Sequence, residues 1–256
     1  MDATLGVIDT FSAEETLHDA GRLVGGETLV RRVVRRVSDA ECLHDVAVVV
    51  APAMAEELKE LVPTDATIVA SRSMDPITRL IDAADELNCE AVLRVDLHSP
   101  FIDPDLIDGL VIAANRYRGC DYLAYQCGSY GTRALSQMGL FGEWCRVAAL
   151  RNASRSDASQ RRGIADSGGL VTECLLAQPE LFQIRFIHVP TALDRDDLRL
   201  RLTEQEDWDA AEEIIEALDP EELNWYRISN LLNGTPDLRA QMRARNVAEA
   251  TGNWLD

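Results

Sequence analysis

Lysine is nearly absent from this acidic chain of 256 residues. Asp and Glu together number 44 against 25 Lys and Arg, the formal net charge is −19, and Lys59 is the only lysine. A catalytic lysine at any other position is therefore excluded. Nucleic-acid binding through an extensive basic face is also excluded, because it depends on neutralising many phosphates with Lys and Arg. A charge of this size is typical of a solvated surface that keeps a protein soluble.

Long apolar runs and closely paired cysteines are missing as well. No apolar stretch reaches the roughly 18 residues of a membrane span, and the start "MDATLGVIDTF" has no basic segment. We expect a cytoplasmic protein with no membrane partner. The six cysteines form no C-x-x-C pair, which disfavours a zinc site or a disulfide framework and favours reduced core thiols.

The first half of the chain alternates short apolar runs with helical patterns. The runs are "TLGVIDTF", "DVAVVVAP", "ATIVAS" and "CEAVLRVDL", and between the first two lies "GETLVRRVVRRVSDAE", whose valines fall on one helical stripe. This order predicts β-α-β units, and hence an α/β fold of three layers: a mostly parallel, Rossmann-like sheet with helices on both faces.

The second half is less regular. Strands are predicted at "CDYLAYQC", "GLFGEWCRVAAL" and "QIRFIHVP", a helix at "GLVTECLLAQPELF", and further helices from Trp208 to Ala250. No linker or internal repeat separates these parts. We therefore expect one domain over residues 1–256, with a regular nucleotide-binding half at 1–118, an irregular acceptor and dimerisation half at 119–206, and C-terminal helices at 207–256.

The stretch "LRVDLHSPFIDPDLID", Leu93 to Asp108, follows a predicted buried strand. Ligands of open α/β sheets bind beyond the carboxyl ends of the strands. Asp96 and His98 would point to the same side of an extended segment, where they could serve a metal or a reacting group. Asp103 has a structural alternative, because Asp103-Pro104 is typical of a helix N-cap followed by proline in the first turn.

The order of elements, together with "LVGGETLVRRVVRRV", "SMDPITRLIDAADELN", "VLRVDLHSPFIDPDLID", "GLFGEW", "QPELFQI" and "LRLRLTEQEDWDAAEEIIEAL", resembles the cytidylyltransferase family. The branch it resembles most is the spore-coat polysaccharide biosynthesis protein F group, related to the CMP-KDO and CMP-sialic acid synthetases. The resemblance implies a nucleotide-diphospho-sugar transferase-like fold, transfer of CMP from CTP to a sugar-type acceptor, a requirement for Mg²⁺, and a homodimer.

Several charged positions of that family are changed. The resemblance places His98 at the family's magnesium aspartate and Gln205 at a second metal carboxylate, and neither residue is a good substitute, because Mg²⁺ prefers charged oxygen ligands. The family's basic phosphate loop becomes "DTFSAEETLHDAGRL", in which Arg22 is the one cation. Ser12 and Glu15 form a capping-box pattern there, which predicts a short helix in place of the phosphate loop.

Other matching positions are retained. The resemblance implies nucleotide-binding roles for Ser73, Asp75, Arg79 and Arg94, and a shifted alignment would add Arg22 as a phosphate contact. The candidate catalytic residues are Asp96 and His98 of the loop, together with Glu143, which matches a family residue. An ion pair between Arg79 and Asp75 at i, i+4 is the structural alternative for Arg79.

Three functions remain open. The leading hypothesis is a cytidylyltransferase-like scaffold that has lost metal-dependent transfer, with no cofactor expected. The second is an active nucleotidyltransferase with a rearranged site, in which Asp96, His98 and Asp103 would hold a metal and Arg22 and Glu143 would assist. The third is a protein that binds a nucleotide or sugar without reacting.

Overall fold

The computed structural model describes residues 3–10, 13–128, 135, 138–155, 171–219 and 223–251. Its strands are β1 (Thr4–Asp9), β2 (Leu23–Val24), β3 (Glu27–Thr28), β4 (Asp45–Val50), β5 (Thr67–Ala70), β6 (Ala91–Asp96), β7 (Tyr122–Gln126), β8 (Glu143–Arg146) and β9 (Ile184–His188). Its α-helices are α1 (Ala13–Gly21), α2 (Leu29–Ser38), α3 (Ala55–Lys59), α4 (Pro76–Glu86), α5 (Pro104–Arg116), α6 (Val147–Ser154), α7 (Val171–Leu176), α8 (Gln205–Ala217), α9 (Trp225–Gly234) and α10 (Pro236–Thr251).

The main sheet has seven strands in the order β5-β4-β1-β6-β8-β7-β9, and β2 and β3 form a separate hairpin. The main sheet is parallel except where β8 pairs with its two neighbours. From β1 the chain first moves outward through β4 and β5, and then returns to place β6 on the other side of β1. The order of the strands therefore reverses between β1 and β6, which is where open α/β sheets bind their ligands.

Apolar side chains cover both faces of the sheet. Because successive residues of a strand point to opposite faces, Ile8 of β1 packs into one buried cluster, whereas Leu5 and Val7 pack into a second. The first cluster includes the predicted valine stripe of α2, and the second includes α4 and α6. The predicted α/β fold with helices on both faces is confirmed.

The prediction of a single strand over "GLFGEWCRVAAL" is wrong at its end. The strand β8 stops at Arg146, and α6 begins at Val147. From that point Val147, Leu150 and Ala153 are buried at helical spacing against the second cluster. The composition of a short apolar run does not distinguish a strand from a buried helix, and for this reason the predicted strand was too long.

The C-terminal helices, the cysteines and the aromatic side chains complete the description of the fold. The predicted C-terminal helices are present as α8 to α10, and none of the six cysteines, all of which lie in the described residues, forms a disulfide. Of the aromatic side chains in the irregular half, Tyr122, Tyr125 and Trp144 are buried core residues, while Tyr130 lies outside the described residues. No helix in the described part of the chain is long and apolar enough to cross a membrane. The three-part division of the domain stays a prediction.

Candidate functional site

Two aspartates end the adjacent strands at which the strand order reverses. Asp9 is the last residue of β1 and Asp96 the last of β6, and the two are register partners in the parallel pair. Both side chains therefore lie at the carboxyl edge of the sheet, where backbone pairing ends and side chains reach toward a ligand. This edge is the candidate site.

Two arginines neutralise Asp9. Arg79 of α4 donates to it through two nitrogens, at 2.8 Å from Nη2 to Oδ2 and 3.2 Å from Nε to Oδ1. Arg94 of β6 lies 3.5 Å from the same carboxylate and 3.8 Å from Glu143 of β8. Burial alone would lower the pKa of Arg94, but the charges of Asp9 and Glu143 outweigh it and raise that pKa above its usual range. These four residues form a buried chain of alternating charges.

A second charge network surrounds Asp96. Its Oδ1 accepts the His98 backbone N–H at 2.8 Å and lies 3.3 Å from Nδ1 of the same imidazole, while its Oδ2 accepts from Arg201 at 3.0 Å. The other ring nitrogen of His98, Nε2, lies 3.1 Å from Asp19 of α1. The predicted proximity of Asp96 and His98 is confirmed, and each has an additional partner from a distant part of the chain.

Protonation states in this second network follow from its geometry. Burial would raise the pKa of Asp96, but the hydrogen bond from His98 and the charge of Arg201 hold it well below its ordinary value. Burial would likewise lower the pKa of His98, but its contacts with Asp96 and Asp19 raise it. The two carboxylates thus stabilise the protonated form of His98 relative to that of a free imidazole.

Arg22, which follows α1, approaches the start of α8 from the side. Its guanidinium lies 3.9 Å from the ring centroid of Trp208, and its Nη2 donates to Oε1 of Gln205 at 2.6 Å. The amide nitrogen of Gln205 in turn donates to Asp209 at 2.7 Å. A guanidinium stacked on an indole is held by cation–π attraction. Gln205 therefore has a hydrogen-bond partner on each of its amide atoms.

Asp103 does not belong to this site. It is fully buried; its Oδ1 accepts the Leu106 N–H at 3.2 Å, and its Oδ2 accepts the Trp225 N–H at 2.8 Å. The predicted N-cap role is confirmed, and the same carboxylate also binds the first N–H of α9. Asp103 therefore connects α5 to the C-terminal helices, and a rearranged metal site cannot include it without breaking both helix ends.

Ser73 and Asp75 form the turn that leads into α4. Asp75 is the N-cap of the helix and accepts the Thr78 N–H at 3.1 Å, while the Ser73 hydroxyl accepts the Asp75 N–H at 3.2 Å. Arg79, one turn further on, reaches Asp9 across the sheet edge, an ion pair that the pattern of the helix alone did not predict. Nucleotide-binding roles for these residues stay predictions.

The donors at this edge do not fit a magnesium ion. Mg²⁺ requires oxygen ligands in near-octahedral geometry, yet both oxygens of Asp96 and both oxygens of Asp9 already bind arginine or histidine side chains. The side-chain oxygen of Gln205 accepts from Arg22. Within the described residues, no cluster of three or more His, Cys, Asp or Glu side chains could hold a metal ion.

Three charged residues of the candidate site were not predicted from the sequence. They are Asp9, Arg201 and Asp19, which contacts His98, while the predicted Glu143 lies 3.8 Å from Arg94. Asp9 could have been found, because "GVID" ends a strand with a carboxylate just as "LRVD" does. The helix predicted in place of the phosphate loop is present as α1, whereas its expected cap, Ser12, and the side chain of Glu15 lie outside the described residues.

Comparison with solved structures reveals the same architecture in nucleotide-transferring enzymes. A cytidylyltransferase from Leptospira borgpetersenii superimposes with a TM-score of 0.75 at 16% identity, covering 92% of this chain and 95% of that one. The chain has a cytidylyltransferase fold. A CMP-2-keto-3-deoxy-manno-octonic acid synthetase complexed with CTP gives a TM-score of 0.53 at 12% identity, covering 73% of this chain and 89% of the synthetase. The 2-C-methyl-D-erythritol 4-phosphate cytidylyltransferase of Thermus thermophilus gives 0.55 at 17% identity, covering 84% of this chain and 100% of that one.

Sequence comparison supports the same resemblance. The spore coat polysaccharide biosynthesis protein SpsF of Bacillus subtilis (strain 168) is 24% identical over 174 residues, which is 68% of this cytidylyltransferase-like chain and 66% of SpsF, just under two thirds. No protein-family model matches the chain. The resemblance predicted from the motifs, including its SpsF-like branch, is confirmed.

Proposed function

We propose that this chain is a cytidylyltransferase-like protein of surface-polysaccharide biosynthesis that does not carry out magnesium-dependent cytidylyl transfer and instead binds a nucleotide or sugar. One observation carries the proposal: His98, at the family's magnesium position, is bound on both ring nitrogens by carboxylates of the same chain. With both ring nitrogens engaged by carboxylates, the imidazole offers no lone pair to a divalent cation. The carboxylates and arginines that surround it are already paired with one another.

Transfer of a nucleoside monophosphate from a triphosphate depends on cations that stabilise charge on the phosphate oxygens. Here Arg79, Arg94 and Arg201 are each bound to a carboxylate, so they are not available to a triphosphate without breaking an ion pair. Arg22 differs from them, since its contacts are an indole and an amide and not a carboxylate. It is the cation best placed to meet a phosphate or carboxylate group of a ligand.

The proposal is tested by incubating the purified protein with CTP, magnesium chloride and a panel of sugar acids and measuring pyrophosphate, with a CMP-KDO synthetase as the positive control. We expect pyrophosphate from the control alone. Steady release that depends on both magnesium and one sugar acid, and that is lost in His98→Gln, would instead establish an active enzyme with a rearranged site.

Binding without reaction is tested separately by calorimetric titration with CMP, CTP and CMP-sugars. We expect saturable heat, and we expect Arg22→Gln to weaken the affinity at least about tenfold, because a charge-assisted hydrogen bond contributes about 1.5–3 kcal/mol. The matched control is Arg72→Gln, which changes an exposed arginine in the loop that precedes α4. Absence of heat with every ligand would contradict the binding function. Homodimer formation stays a prediction of the resemblance, tested by light scattering.

A further inference from the structure

The segment at 194–204 has no regular secondary structure, yet it delivers side chains and backbone to the candidate site. Arg201 reaches Asp96 at 3.0 Å, and the Leu202 N–H donates to the carbonyl of His98 at 2.8 Å. An irregular segment cannot satisfy its own backbone groups as a helix or strand does. Its path must therefore be held by groups from elsewhere in the fold.

Several of those groups come from α10. The side-chain amide of Asn246 donates to two carbonyls of the segment, those of Asp196 and Leu198, each at 3.0 Å. Arg239 and Arg243 lie four residues apart, and Asn246 follows three residues after Arg243, so the three share one helix face. Arg239 lies 2.7 Å from Asp197, and Arg243 lies 2.7 Å from Asp196.

Two further ion pairs fix the end of the segment that lies nearest the site. Arg199 binds Glu249 of α10 at 2.5 Å, and Arg245 of α10 lies 2.8 Å from Asp207 in the first turn of α8. Arg199 also binds Asp207 directly at 2.8 Å, and both of these side chains are almost completely buried. Arg201, two residues after Arg199, thus extends from an anchored backbone toward Asp96.

We propose that α10 is a positioning element of the candidate site and that Asn246 is its central positioning residue. By donating to two carbonyls only two residues apart, Asn246 sets the path of the 194–204 segment. That path in turn keeps the guanidinium of Arg201 at the carboxylate of Asp96 and the Leu202 N–H at the carbonyl of His98. The positioning role concerns the same site as the proposed function, but it does not depend on whether the protein catalyses cytidylyl transfer.

The test uses the full-length chain and the variant Asn246→Leu, which keeps a similar side-chain volume and removes both donors. Nuclear magnetic resonance at a fixed pH reports the ring of His98 and the amide of Leu202. We expect the His98 ring resonances to move in the direction seen in Arg201→Gln, and the Leu202 amide to exchange at least about tenfold faster, because local opening of the segment becomes easier. Gln241→Ala changes an exposed residue of the same helix and is expected to leave both signals unchanged.

The overturning result is a lower melting temperature in Asn246→Leu with wild-type signals from His98 and Leu202, since that outcome would make α10 a stabilising helix only. Should Asn246→Leu fail to fold, Arg243→Gln is read in the same way, because the Arg243 side chain is 62% exposed and contributes little to packing. None of these measurements needs a substrate. Failure of the positioning role and failure of the proposed function are therefore separate outcomes.

Discussion

The guanidinium of Arg79 binds the carboxylate of Asp9 through two nitrogens, with Nη2 2.8 Å from Oδ2, and each side chain is only 5% exposed. The pair joins α4 to the end of β1 across 70 positions of the chain. Because Arg94 approaches the same carboxylate, Asp9 is neutralised from both sides. The carboxylate at the end of the first strand therefore serves the fold as an ion-pair partner.

Arg79→Met is expected to lower the free energy of unfolding by about 3 kcal/mol, because removing one partner of a buried pair leaves the other incompletely compensated. The neighbouring charge of Arg94 keeps the loss from being larger. Urea denaturation followed by circular dichroism measures the change. Arg72→Met, at an exposed position, is the control and should change stability by less than about 0.5 kcal/mol. Equal stability of the two variants would show that Asp9 does not depend on Arg79.

His98 is expected to make stability depend on pH in a defined direction. Its pKa is raised above the ordinary value of 6.5 by Asp96 and Asp19, although burial and the charge of Arg201 oppose this. The folded state therefore binds the proton more tightly than the unfolded state does, so the stabilisation is fully present below about pH 6.5 and is lost as the pH rises through the raised pKa.

Urea denaturation of the wild type and of His98→Gln at several pH values from about 5.5 to 9 measures this contribution. The stability difference between the two proteins should be largest at the acid end and shrink as the pH rises. His44→Gln changes an exposed histidine and should follow the wild-type profile. A difference that grows with pH would contradict the assigned contacts of His98.

Asp103→Ala is expected to lower the free energy of unfolding by about 2–3 kcal/mol, since it removes the cap of α5 and leaves the half-buried Trp225 N–H without its acceptor. The matched control is Asp75→Ala, which removes the cap of α4 and should cost about 1 kcal/mol. Thermal and urea unfolding give both values. A cost for Asp103 no greater than that for Asp75 would contradict its second role at α9.

Added salt is expected to raise the melting temperature, because a net charge of −19 repels itself in the compact state and salt screens that repulsion. Melting is measured from about 0.05 to 1 M sodium chloride, a range over which the Debye length falls several-fold. The double variant Glu57→Gln, Glu60→Gln removes two exposed carboxylates and should gain less from salt. A melting temperature that falls with salt would indicate that the ion pairs dominate over the net charge.

Much of the fold could be predicted from local patterns. The valine stripe of α2, the apolar strands β4 and β6 and the Asp-Pro start of α5 each lie within one element, and the structure contains all of them. The error at "CRVAAL" arose in a short apolar run, where a strand and a buried helix share the same composition. The contact of Asp96 with His98 was predicted because the two residues lie two positions apart in one loop.

The partners of the site's charges could not be predicted in the same way. Arg201 lies 105 positions from Asp96, and Asp19 lies 79 from His98. Which carboxylate an arginine binds depends on distances of a few ångströms between elements, and neither periodicity nor capping patterns contain that information.

Local patterns were enough to predict that strands and helices alternate, that the sheet is mostly parallel and that a loop with Asp96 and His98 follows a buried strand, because hydrophobic burial and backbone preference act over a few neighbouring residues. Three relationships required the folded chain: Asp103 joins two helices, Asp9 binds Arg79, and His98 lies between Asp96 and Asp19. Charge pairing is settled only when the packed elements bring distant side chains within reach.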